Sequence, residues 1–153
     1  MKQWRFEVFN KPGSSDIHGR DVLSDIRELR IDSVLEVQSA RVFIIEGDFD
    51  SDFAKKIAGE LLADPVCEDY YIGKSSAPAG LAKATIVEIH LKSGVTDPVA
   101  QSVIAAIEDM GKKCDAVRTA RKYIIFGEIT EKQLKMHSTA KSLIIMVAER
   151  LEH

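Results

Sequence analysis

SARVFIIEGD at residues 39–48 and TARKYIIFGE at residues 119–128 are one phrase written twice. Ala40, Arg41, Ile44, Ile45 and Gly47 recur as Ala120, Arg121, Ile124, Ile125 and Gly127, each 80 residues later (121 − 41 = 80). Each copy carries four apolar residues in a row, VFII or YIIF, rich in β-branched and aromatic side chains and followed closely by glycine. That composition predicts a strand. Successive strand side chains point to opposite faces, so an unbroken apolar run predicts burial on both. Something must cover the second face, either the other repeat or another protein.

Working outward, residues 4–9 (WRFEVF) read as an opening strand, with Trp4, Phe6 and Val8 on one face and Arg5 and Glu7 on the other. A loop, KPGSSD, follows, with Asp16 as the expected N-cap of a helix whose buried stripe is Val22, Leu23, Ile26 and Leu29. Residues 33–38 are expected to form a separate strand in a tight hairpin with the central one. Phe53, Ile57 and Leu61 mark a second helix, which Asp64-Pro65 stops. Residues 66–73 (VCEDYYIG) complete the order βαββαβ.

After the small, Pro- and Gly-interrupted residues 74–83, the pattern restarts. Glu88, Lys92, Gly94 and Asp97 answer Glu7, Lys11, Gly13 and Asp16 at a spacing of 81 (97 − 16 = 81). Asp97-Pro98 is a cleaner helix start, and Val99, Val103, Ile107 and Met110 form the expected stripe ahead of a Gly111 cap. The hairpin and central strand recur, and a last helix is expected from about Thr130. Residues 143–151 (LIIMVAERL) contain no proline or glycine, and Leu143, Ile144 and Val147 extend a helical stripe with Ala140, so that helix should run on toward Arg150. The second copy would then lack a closing strand, and residues 85–91 (TIVEIHL) would present an open edge, a template for self-association.

The expected organisation is therefore a duplication: residues 1–73 as the first unit, 74–83 as linker, 84–150 as the second. Leu151, Glu152 and His153 read as a cloning scar and the start of an affinity tag.

Two segments, GVTDPVAQSVIAAIEDMG and VRTARKYIIFGE, together with ELLADPVCEDY at residues 60–70, resemble the PurS subunit of phosphoribosylformylglycinamidine (FGAM) synthase and the PurS-like region of large fused synthases. The likeness runs over nearly the whole chain as two tandem copies. It implies an α+β fold of two ferredoxin-like βαββα(β) units forming a pseudo-dimer. It also implies a protein without chemistry of its own, which holds an ATP-dependent synthetase against a glutaminase so that ammonia passes between them in purine synthesis. The first copy departs from the pattern at Ser15-Asp16-Ile17-His18, where the second has Thr96-Asp97-Pro98-Val99.

Composition and motifs agree with a non-catalytic role. At 153 residues with a formal charge of −3, the chain is long enough to bury a core without metal or disulfide and too acidic for a general nucleic-acid binder. No apolar run approaches a membrane span, and Cys67 and Cys114 read as free thiols of a reducing cytoplasm. Neither cysteine has the nearby His and acid of a thiol nucleophile, and no P-loop or GxGxxG occurs. Asp48, Asp50 and Asp52 begin like a calcium loop but lack its Gly and Glu, and read as helix-start acids. Catalytic, cofactor and metal residues are accordingly expected to be none. The candidate interaction residues are Arg41, Phe43 and Ile45 with Arg121, Tyr123 and Ile125 on the repeated strands. Arg41 and Arg121 either keep a strand edge soluble or fork onto carboxylates of a partner or the other repeat. A reading from a different class is a small-molecule regulatory module built from paired ferredoxin-like units.

Overall fold

A computed structural model describes residues 2–73, 84–91, 95–130 and 143–151. Its elements are β1 (Lys2–Asn10), α1 (Ile17–Glu28), β2 (Val34–Gly47), α2 (Ser51–Lys56) running into a π-helical turn (Ile57–Leu62), β3 (Glu68–Ile72), β4 (Ala84–Leu91), α3 (Pro98–Asp109), β5 (Cys114–Gly127) and β6 (Leu143–Leu151). The class is α+β, as expected.

The predicted hairpins do not form. Residues 34–47 make one continuous strand of 14 residues, and so do 114–127. A tight hairpin turn needs residues that tolerate positive φ, and Gln38-Ser39-Ala40 supplies none. Ser39 instead donates its N–H and its hydroxyl to the Asp16 carboxylate, at 2.7 and 2.6 Å, with its backbone extended. The predicted βαββαβ is thus βαβαβ in the first copy.

The described elements gather into two compact units, and each draws on residues from both halves of the sequence. Unit 1 contains β1, β2 from Ala40 onward, α2 with its π turn, β3, α3, and β5 up to Ala120. Unit 2 contains α1, β2 up to Ser39, β4, β5 from Arg121 onward, and β6.

In unit 1 the strands run β3-β1-β2-β5. β1 pairs antiparallel with both neighbours, setting Phe6 against Phe43 on one side and Ile72 on the other. On one face Phe6, Val8, Phe43 and Ile45 pack with Phe49, Ile57 and Leu62 and with Ala100, Val103 and Ile107 of α3. The predicted helical stripe needs one change: Val99 is 54% exposed, and Ala100 takes the inward position. Val42, on the opposite face, is also fully buried, so the apolar run is covered on both sides as its composition required. Glu7, on the face opposite Phe6 and Val8, is 1% exposed, with Arg5 Nη2 2.9 Å from its carboxylate. Ala63 turns extended (φ −102°, ψ 140°) and ends the helix just ahead of Asp64-Pro65, where proline disfavours helical geometry at Asp64.

β3 lies at one end of this order, and two of its outward amides are occupied locally. The Glu68 N–H bonds the Asp64 carbonyl (2.8 Å), and the Tyr70 N–H bonds the side chain of Asp69 (2.9 Å).

In unit 2 the strands run β2-β5-β4-β6. Ile26 of α1 packs with Val34, Val37, Val87, Ile125 and Ile129, and Val22, Leu23 and Tyr123 border this cluster. The largest correction falls here. Residues 143–151, expected as helix, are strand β6, paired antiparallel with β4 from Leu91↔Leu143 to Ala84↔Leu151 through one bulge at Ile86/Val87. The edge of residues 84–91 is filled from within the chain, so the argument for self-association through it falls. An apolar run rich in isoleucine satisfies a strand as well as a helix, and an available edge decided between them. Residues 131–142, where that helix was to begin, and the linker 74–83 lie outside the described residues.

Candidate functional site

A cleft is built within unit 1 from three elements. β2 places Arg41 and Phe43 on one face, two residues apart, with the guanidinium carbon 5.6 Å from the Phe43 ring centre. The end of the π turn contributes Leu61 and Leu62 as one wall. The first turns of α3 contribute Pro98, Val99, Ser102 and Val103 as the other, enclosing a cleft of about 330 Å³. α3 starts here because Asp97 caps it, accepting the Ala100 N–H at 3.0 Å, and because Pro98 suits the first helical position.

Arg41 is fixed in place. Its Nη2 donates to both carboxylate oxygens of Glu68 (2.8 and 2.9 Å) and to the Leu62 carbonyl (3.0 Å). Glu68 in turn accepts the Asp64 N–H at 2.9 Å. With the two side chains 36% and 18% exposed, this pair contributes little to stability. What it does is orient the guanidinium across the strand and tie down the turn after the π segment.

The expected interaction residues divide into two kinds. Phe43, Ile45 and Ile125 are core residues, 2%, 0% and 2% exposed, while Arg41, Arg121 and Tyr123 are partly accessible. Arg41, Phe43 and Ile45 lie in unit 1, and Arg121, Tyr123 and Ile125 in unit 2. Tyr123 sits beside α1, and burial pushes its phenol up, partly offset by Arg121.

Thiol chemistry finds no support in either cysteine. Partial burial and then the carboxylate of Asp64 push the Cys67 thiol up, and burial does the same to Cys114, the opposite of an activated nucleophile. Cys67 sits in the turn just before β3, not within the strand expected for it. Asp50 caps α2 through the Phe53 N–H (2.8 Å), and no group of three or more His, Cys, Asp or Glu residues suited to a metal occurs among the described residues. Lys11 donates to the Pro65 carbonyl at 2.8 Å.

Sequence reasoning missed an arrangement that appears twice. The second oxygen of Asp97 accepts the N–H and hydroxyl of Thr119, at 3.2 and 2.7 Å, as Asp16 does those of Ser39. Each helix cap is thereby bonded to the middle of a long strand. The signal was present as Asp at offset 81 and Ser/Thr at offset 80, yet neither residue type announces its partner.

Against this geometry, one comparison is decisive. Residues 3–75 match the family PurS, described as phosphoribosylformylglycinamidine (FGAM) synthase. Residues 3–75 are PurS-like in sequence. The match takes in β1, α1, β2, α2, the π turn and β3. It therefore includes Arg41, Phe43, Leu61, Leu62 and Glu68 of the cleft, and it links the PurS-like domain to FGAM synthase and purine biosynthesis. No curated protein matches the chain. No helix among the described residues is long and apolar enough to cross a membrane.

Proposed function

We propose that this chain is a non-catalytic scaffold of FGAM synthase, holding the ATP-dependent synthetase and the glutaminase together so that ammonia passes between them. The observation that carries the reading is the PurS match over residues 3–75. Two features support a role without chemistry: both thiols are shifted away from reactivity, and the guanidinium in the cleft is tied down by the Glu68 carboxylate and the Leu62 carbonyl.

The second copy extends the proposal. Residues 84–150 act as a second PurS-like unit, making the chain a covalent counterpart of a paired subunit. Supporting this, Asp97 and Thr119 repeat the hydrogen bonding of Asp16 and Ser39, and two strands of equal length carry the repeated phrase.

Reconstitution tests the function. Purified synthetase and glutaminase should make FGAM from glutamine only when the chain is added, and the chain alone should release no ammonia from glutamine and hydrolyse no ATP. Ammonia release by the isolated chain, abolished by Cys67→Ser or Cys114→Ser, would overturn the scaffold reading.

A further inference from the structure

The Ile57–Leu62 π turn carries two apolar registers in one sequence. As it stands, the Ala63 N–H reaches the Ala58 carbonyl, five residues back, at 3.0 Å. This wide turn stacks residues five apart, and Ile57 with Leu62, and Ala58 with Ala63, are all buried in the core of unit 1. An α-helix would turn Leu62 about 140° away from Ile57 and set Leu61 beneath it instead. Leu61 is the same side chain, continues the spacing of four from Phe53 and Ile57, and is only partly buried in the π form. The segment can therefore offer the core one leucine or the other.

α geometry is the ordinary choice for a helix, so the π register needs a reason. Burial alone does not supply it, because one leucine replaces another. The difference lies at the Leu62 carbonyl. As one of the last carbonyls of the helix it is beyond the reach of an intrahelical donor, and Arg41 Nη2 donates to it at 3.0 Å. The same nitrogen is held by both carboxylate oxygens of Glu68, which also accepts the Asp64 N–H just past the extended Ala63. In an α register the Leu62 carbonyl swings round with its residue and leaves Arg41. Gly59, within the turn, adds backbone freedom and no side chain that would fix either register.

We propose that this turn is a two-register switch: the Arg41–Glu68 pair latches it in the π form with Leu62 buried, and release of Arg41 resets it to α with Leu61 buried. The extra residue held in the wide turn then passes into residues 63–67, ahead of β3. Leu61 and Leu62 form one wall of the cleft, so the latch decides the shape of that wall. The switch is a property of this chain and does not depend on the scaffold reading.

The test uses the full chain. In a Cys67→Ser, Cys114→Ala background, Leu61→Cys and Leu62→Cys are each alkylated with iodoacetamide, with Arg41 present and with Arg41→Met. Leu61→Cys should react about tenfold faster than Leu62→Cys while Arg41 is present, and Arg41→Met should reverse the order. A second measurement needs no cysteine replacement: by NMR, coupling across the hydrogen bond of the Ala63 amide should move from the Ala58 carbonyl in the wild type to the Gly59 carbonyl in Arg41→Met. If Arg41→Met keeps both the order of alkylation and the Ala58 coupling, Arg41 is no latch and the proposal falls. If both leucine positions react fast and the Ala63 amide couples to neither carbonyl, the segment melts instead of changing register, and the proposal falls equally.

Discussion

Replacing Asp97 with alanine removes three hydrogen bonds from one carboxylate: those from the Ala100 N–H at 3.0 Å, the Thr119 N–H at 3.2 Å and the Thr119 hydroxyl at 2.7 Å. Loss of the helix cap alone costs about 1 kcal/mol. Bonds to a charged acceptor are worth about 1.5–3 kcal/mol, and Thr119 is only partly buried, so water recovers some of that when the carboxylate leaves. The sum is a loss of about 2–4 kcal/mol, or roughly 4–16 °C in Tm for a chain of this size. Asp97→Asn keeps an acceptor and should lose about half as much. Thr119→Val removes the hydroxyl only, and a double-mutant cycle with Asp97→Ala should give a coupling of about 1 kcal/mol by urea denaturation. Asp16→Ala should behave alike, since Asp16 accepts from Gly19, and twice from Ser39, at 2.6–2.9 Å. A cost below about 0.5 kcal/mol for Asp97→Ala, or a coupling indistinguishable from zero, would refute the idea that these carboxylates bind helix to strand.

Two further expectations concern unit 2. Burial holds the Tyr123 phenol above its ordinary value of 10, so the folded chain retains that proton longer than the unfolded one. Its contribution is therefore intact below about pH 10 and is lost as pH rises through the folded value, making stability fall on the alkaline side; Tyr123→Phe should flatten that fall in urea titrations between about pH 9 and 11. Gly127 has φ of +117°, and a Cβ there would come 2.1 Å from the Ser33 carbonyl oxygen, so Gly127→Ala should destabilise by about 2 kcal/mol or more by the same assay.

Much of the architecture was legible where local chemistry is decisive. Asp16 and Asp97 cap their helices, Asp64-Pro65 ends the π turn, and Gly111 sits at positive φ just past α3, because each of these depends on its immediate neighbours. The unbroken runs around Phe43 and Ile125 correctly required two covered faces. Reading failed where a distant partner decides. Ser39 reads like a turn residue until Asp16 takes its N–H and hydroxyl, and LIIMVAERL reads as a helix until β4 offers it an edge. The cleft was half visible: Arg41 and Phe43 were named from the repeat, whereas Glu68 and Val99 were not. Glu68 lies 27 residues from Arg41, and Val99 looked like a core residue because one helical step separates it from Ala100, which is the buried one.

The mixed parentage of unit 1 bears on how the chain is made. Phe6, Val8, Phe43 and Ile45 leave the ribosome early, but the helix that covers them with Ala100, Val103 and Ile107 follows much later. After residue 75, another 45 residues (120 − 75 = 45) must be synthesised before the last segment of that unit exists. At about 5–20 residues per second this is a wait of roughly 2–9 s with an apolar sheet face covered only in part, by Phe49, Ile57 and Leu62. Here the covering helix arrives on the same polypeptide, at an effective concentration that does not depend on how much protein the cell contains.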